Sequence, residues 1–121
     1  MYNYPGTCIL RVLEIARKPL HFVGSSHADL KTFPDEARRD AGFNLDAVQR
    51  GLEPSDWKPM KTVAPGVSEL RVRDRTGAYR VIYLATRPEG VYVLHCFQKK
   101  TPKTRKSDIE LAASRWRQLG V

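Results

Sequence analysis

Three segments in the second half of the chain carry the apolar patterns of strands: VSELRVR (Val67 to Arg73), AYRVIYLAT (Ala78 to Thr86) and GVYVLHCFQ (Gly90 to Gln98), each rich in Val, Ile, Tyr and Leu. The turn-prone groups DRTG and RPEG separate them, which predicts an antiparallel meander. In the first segment a period of two puts Leu70 and Val72 on one face and Glu69, Arg71 and Arg73 on the other, so the apolar side packs and the basic side stays wet. The second and third segments are apolar on both parities, as strands in the middle of a sheet are. That pattern isolates Arg80 and His95 as polar groups among Tyr79, Ile82, Leu94 and Phe97, where they need a partner, a substrate or a rim position.

The flanking regions show helical spacing. Leu20 to Val23 reads as a first strand, after which Ser25 or Ser26 caps a short helix containing Leu30 and Phe33. Pro34 fits the first turn of a second helix, and Asp35 and Glu36 complement its dipole. Ala37, Ala41, Leu45, Val48 and Leu52 mark the buried face of this helix, with Arg38, Arg39 and Arg50 off it, and Gly51 and Pro54 end it. A loop from Glu53 to Pro65 is expected to hold a short strand at Met60 to Val63, and Trp57 is read as a lid over the core, with stacking on a base as the alternative. Ser107 and Glu110 form an S-x-x-E capping box opening a last helix, whose stripe is Ile109, Ala112, Trp116 and Leu119 and whose C-cap is Gly120.

The resulting expectation is an α+β fold: a twisted, mainly antiparallel sheet of four to five strands, two N-terminal helices against one face, and a C-terminal helix completing it. Residues 18–121 are read as a single domain, and residues 1–17 as an N-terminal extension without an assigned function. The apolar run of that extension is short and interrupted by Arg11 and Glu14, so it reads as neither a membrane span nor a secretory signal.

With 121 residues and 41% apolar content, the chain can bury one modest core. A formal charge of +8 favours polyanionic partners, because each Lys or Arg placed on a phosphate releases condensed counterions. Cys8 and Cys96 make no disulfide framework and no metal-ligand spacing, which suits a reducing cytoplasm, and Cys96 reads as a small core residue. No His-Glu, Cys-x-x-Cys or Asp cluster suggests a metal, and no glycine-rich loop suggests a nucleotide, so no cofactor is expected.

The charged strands empty into the cationic string QKKTPKTRK, and together they suit a phosphodiester. Were that phosphodiester part of an RNA cleaved without a metal, the ribose 2′-hydroxyl would have to lose a proton and attack phosphorus in line, while the departing 5′-oxygen gained one. Arg71, Arg73, Arg80 and Lys100 are the candidates for stabilising the charge that builds on the non-bridging oxygens. His95 is the candidate for proton transfer, and Tyr79 and Tyr83 are weaker ones for orienting the phosphate. Lys61, Lys99, Lys103, Arg105 and Lys106 are assigned to RNA binding. The alternatives are salt bridging of the arginines with Glu69, Asp74 or the last helix, and a hydrogen-bonded core role for His95.

ELRVRDRTGAYRVIYLA, followed by VYVLHCFQKKTPKT and an Ala- and Arg-rich final helix, resembles the RelE superfamily of toxins, in particular its phage-derived HigB-like branch. The likeness extends upstream through KPLHFVGSSHADLKTFPDEAR and LEPSDWKPMKTV, and so covers Lys18 to Leu119. The resemblance implies a toxin that cleaves messenger RNA on the ribosome and is held inactive by an antitoxin with a helix-turn-helix domain. It further implies contact with operator DNA only through the antitoxin complex, and no membrane. By the same resemblance Arg71 and Arg73 fall where such toxins place paired strand lysines, Arg80 on the arginine of the YR motif, and Lys100 near an arginine closing the last strand. Arginine is a poor general base, so the double replacement shifts weight for proton transfer to His95, Lys99 or Lys100. The family's late catalytic tyrosine has no counterpart near Lys106. A ParE-like gyrase inhibitor and a non-catalytic phage-derived RNA-binding protein are the alternative readings, since fold does not fix activity.

Overall fold

The structure is a computed structural model and describes residues 17–120. Along the chain the elements are β1 (Leu20–Phe22), α1 (Ser26–Lys31), α2 (Asp35–Gln49), β2 (Trp57–Pro59), β3 (Val67–Asp74), β4 (Gly77–Leu84), β5 (Val91–Lys99) and α3 (Lys106–Gln118). The five strands form one sheet in the order β1-β5-β4-β3-β2. Strands β2 to β5 pair antiparallel in succession, as the alternation and the DRTG and RPEG turns predict, while β1 lies parallel to β5 at the far edge. Among the described residues no helix is long and apolar enough to cross a membrane.

The two faces of the sheet are covered differently. Leu70, Val72, Tyr79, Val81, Tyr83, Val91, Val93 and Cys96 pack beneath Leu30, Phe33, Ala37, Ala41, Leu45 and Val48 of the α1–α2 segment, closing that face with apolar contacts. On the opposite face Val67, Ile82, Leu84 and Leu94 are joined by Met60, Val63, Ala64 and Ala112, with Ile109 and Trp116 of α3 and its C-cap Leu119 packed against them. The helix leaves the other half of this face to charged side chains. A bulge in β5 explains how that strand serves both faces: Ile82 pairs with His95 but Tyr83 with Val93, so Leu94 is an extra residue and the alternation shifts across it. Burial pushes the Cys96 thiol up to about 12, making it an unreactive core group as expected.

Several local expectations are corrected. The short strand is Trp57–Pro59, not Met60 to Val63; Val63 N donates to Met60 O in a turn, and Met60, Val63 and Ala64 fill space against α3. Pro59 is tolerated because β2 is an edge strand. Leu52 is 60% exposed, since α2 ends at Gln49 and Gly51, at φ +79, turns the chain away before the apolar stripe can continue. Pro34 takes the N-cap position of α2, just outside its first turn. Ser25 occupies the N-cap of α1, yet its hydroxyl donates to Asp29 Oδ2 and caps no backbone N–H. Helix α3 starts from Arg105 as N-cap, two residues too early for the Ser107–Glu110 capping box. Glu69 is wholly buried and not part of a wet strip, because cations and the linker before α3 close over it. The expectations for Met1–Ala16, including Cys8, lie outside the described residues.

Candidate active site

Strand register assembles the charged half-face. Glu69 stands opposite Ile82, and Ile82 opposite His95; in the next row Arg71 faces Arg80 and Arg80 faces Phe97; in the last Arg73 faces Ala78 and Ala78 faces Lys99. Lys58 of β2 lies directly across from Glu69 on the other side. Cross-strand partners share a face, so three strands deliver Arg71, Arg73, Arg80 and Lys99 to one surface and a fourth adds Lys58.

Glu69 is the centre of this group. Its Oε1 lies 3.5 Å from Arg71 Nε, 3.5 Å from Arg80 Nε and 3.9 Å from Lys58 Nζ, and its Oε2 accepts from Thr104 Oγ1 at 3.4 Å. Three cations therefore meet one carboxylate, and the cluster keeps a net positive charge. The Nε contacts are not aligned as hydrogen bonds, and Glu69 Oε1, Arg71 Nε and Arg80 Nε have no hydrogen-bond partner among the described residues. Arg80 is nearly buried and donates through Nη1 to Tyr79 O at 3.2 Å. Desolvation holds its guanidinium below the ordinary value; Glu69 opposes the shift, and Arg71 and Arg73 add to it. A guanidinium so placed remains a cation. Desolvation also lowers the ammonium of Lys99, followed by repulsion from Arg80, with Lys58 and Arg71 adding and Glu69 opposing.

Two hollows border the cluster. A small one of about 80 Å³ is lined by Asp56, Arg71, Val72, Arg73 and Arg80. A larger cleft of about 480 Å³ brings Lys58, Lys61, Lys99 and Lys103 together with Pro102 and Thr104. Lysines from the loop, the last strand and the linker before α3 thus line one groove, which is what a polyanion leaving the arginine hollow would meet.

The remaining sequence candidates are placed as follows. His95 is 6% exposed, its Nε2 lies 2.8 Å from Asp108 Oδ1 in the first turn of α3, and its ring stacks on Phe97 at 4.7 Å. Ile82 stands between it and Glu69 in the row. Lys100 follows the end of β5 and is exposed, whereas Lys99, assigned from sequence to RNA binding, stands with the arginines. Arg105 and Lys106 are exposed at the start of α3, Lys106 only 4.0 Å from Glu110. Tyr79 and Tyr83 belong to the opposite face: Tyr79 OH lies 2.6 Å from Thr76 Oγ1 with its ring on Phe33, and Tyr83 lines a separate hollow of about 300 Å³ with Lys18, Leu52 and Trp57. Trp57 is 36% exposed on the edge strand. Sequence reasoning offered Glu69 as a salt-bridge partner of the arginines, as the structure has it, but missed its burial and the part played by Lys58. Shared parity with His95 and Phe97 places Lys99, already a candidate for proton transfer, on this face, but Lys58 depends on a three-residue strand that carries no alternation of its own.

A five-stranded, mostly antiparallel sheet with three helices and this strand order is consistent with a RelE-like fold. The chain belongs to the family described as phage-derived protein Gp49-like, whose model matches residues 28–117. It is a family of type II toxin-antitoxin toxins of the RelE/HigB kind, which points to an antitoxin as partner. No curated protein matches the chain.

Proposed function

We propose that residues 18–121 form a single HigB-like toxin domain that cleaves messenger RNA on the ribosome without a metal. The observation that carries the reading is the convergence of Arg71, Arg80 and Lys99 on one sheet face beside a lysine-lined cleft. Arg80 and Arg71 contact the non-bridging oxygens of the scissile phosphate and stabilise the charge that grows on them. Arg73 adds to the same field, and Lys58, Lys61 and Lys103 hold the flanking phosphates. Lys99 is the group for proton transfer, because its lowered ammonium pKa supplies a neutral amine at lower pH than an ordinary lysine does. His95, tied to Asp108 and stacked on Phe97, holds α3 against the sheet.

Induced expression of the chain is expected to arrest growth and produce new mRNA 5′ ends, with growth restored by co-expression of the cognate helix-turn-helix antitoxin. Sustained growth at high levels of soluble protein, without new 5′ ends, would refute the nuclease reading. In single-turnover cleavage on saturated ribosomes, the rate should rise with pH as Lys99 loses its proton. Lys99→Arg keeps the charge but removes that titration and should abolish the rise, whereas His95→Gln should preserve it. The reverse outcome would assign proton transfer to His95.

A further inference from the structure

We propose that Glu69 is a positioning residue of this site: it holds Arg71 and Arg80 from behind by their Nε edges, keeps their outer guanidinium nitrogens turned toward the phosphate, and limits how tightly the site grips it. The inference rests on the phosphate-cleaving reading above and adds a residue that touches no substrate. Its basis is the geometry around one carboxylate. Arg71 approaches from two residues along the same strand, Arg80 diagonally from β4 and Lys58 directly from β2, so the cations surround Glu69 within the sheet. Thr104 closes it from the linker before α3, and no part of Glu69 reaches solvent.

Both arginine contacts are made by Nε, the inner edge of the guanidinium. A bidentate grip on Glu69 would consume the same fork that recognises a phosphate; contact through Nε keeps the Nη atoms out of the Glu69 contact, Arg80 Nη1 donating to Tyr79 O and Arg71 Nη1 lying 3.9 Å from Asp56 Oδ1, while both arginines line the small hollow. A buried carboxylate among three cations also has an electrostatic consequence. It cancels one unit of charge directly behind the phosphate site, weakening the hold on substrate and product alike. Fixed orientation favours the transition state, and moderated charge favours release.

The two effects can be separated in the full-length chain. Glu69→Gln preserves shape and removes the charge. Its affinity for a labelled oligonucleotide made uncleavable by 2′-deoxy substitution should rise about threefold or more at low salt, as expected for unmasking one charge near a phosphate. Its single-turnover cleavage rate on ribosomes should fall about tenfold or more, the scale of losing orientation at a reacting centre. A residue with only a structural role would move affinity and rate downward together with stability, and that result would overturn the proposal. So would unchanged affinity and rate. Should Glu69→Gln fail to fold, Glu69→Gln/Lys58→Met removes one exposed cation to restore the charge balance while retaining both arginines. On saturated ribosomes, where the loss of Lys58 as a phosphate contact is overcome, this double variant should still cleave slowly, and wild-type cleavage by it would reject the positioning role. If the wild-type chain cleaves no RNA, the nuclease reading fails by itself, and the binding arm still decides: tighter binding by Glu69→Gln upholds the charge-limiting role of Glu69, and unchanged binding removes it.

Discussion

Arg80→Ala is expected to lower the single-turnover cleavage rate about a hundredfold or more, the usual scale of removing one preorganised charge donor, while ribosome association changes little. Position favours a large effect. Arg80 lies on the central strand, 6% exposed, where the surrounding protein excludes water and a charge acts on a phosphate with little screening. Association, on the proposed reading, would be spread over many exposed cations, including Lys61, Lys103, Arg105 and Lys106. The substitution leaves Glu69 with Arg71 and Lys58, so the buried carboxylate is not orphaned and the sheet should still form. Circular dichroism and thermal unfolding check that the variant is folded. A folded Arg80→Ala protein that cleaves within threefold of wild type would remove Arg80 from the chemistry.

Gly24→Ala should destabilise the fold by about 2–4 kcal/mol, the sum of left-handed backbone strain and hydrogen bonds lost by a buried guanidinium. Gly24 has φ +59, and an added Cβ would stand 2.7 Å from Arg115 Nε and 2.9 Å from its Cζ. A long side chain can ordinarily swing away from such a contact. Arg115 is only 8% exposed, however, and its Nη1 donates to Leu94 O at 2.9 Å while its Nη2 donates to Ser25 Oγ at 2.9 Å. Moving it strands a buried charge and the carbonyl of the bulge residue. Urea unfolding of Gly24→Ala in the wild-type and Arg115→Ala backgrounds separates the contributions, because strain alone, about 1–2 kcal/mol, should remain in the second. Equal costs in both backgrounds would show that Arg115 contributes nothing to the effect.

Much of this architecture was legible in the residues. Alternation located β3, runs apolar on both parities bounded by turn residues located β4 and β5, and the steps from Ala37 to Val48 located the buried face of α2. The parallel placement of β1 beside β5 was not legible, since a three-residue strand carries no information about its neighbour. Parity also predicted the basic strip of β3, but gave Glu69 to solvent: burial of a carboxylate depends on Lys58, Arg80 and Thr104 arriving from elsewhere in the chain. The same limit applies to Lys99 and Lys100, adjacent cations of equal appearance that the pleat of β5 separates. Arg115 illustrates it once more. Counted from sequence it is one of several basic residues on a terminal helix, yet in the fold it reaches a backbone carbonyl released by a bulge.

A helix packed on one face of a sheet detaches readily where few contacts secure it. Helix α3 is secured at both ends. Asp108 in its first turn bonds to His95, and Arg115 near its last turn bonds to Leu94 O and Ser25, with the apolar stripe between them. Peeling α3 away would break both attachments together and uncover Ile82, Leu84 and Leu94 in the middle of the sheet. Helix α3 is thereby drawn into the cooperative unit that contains the central strands, and its backbone amides should gain the slow solvent exchange of the core.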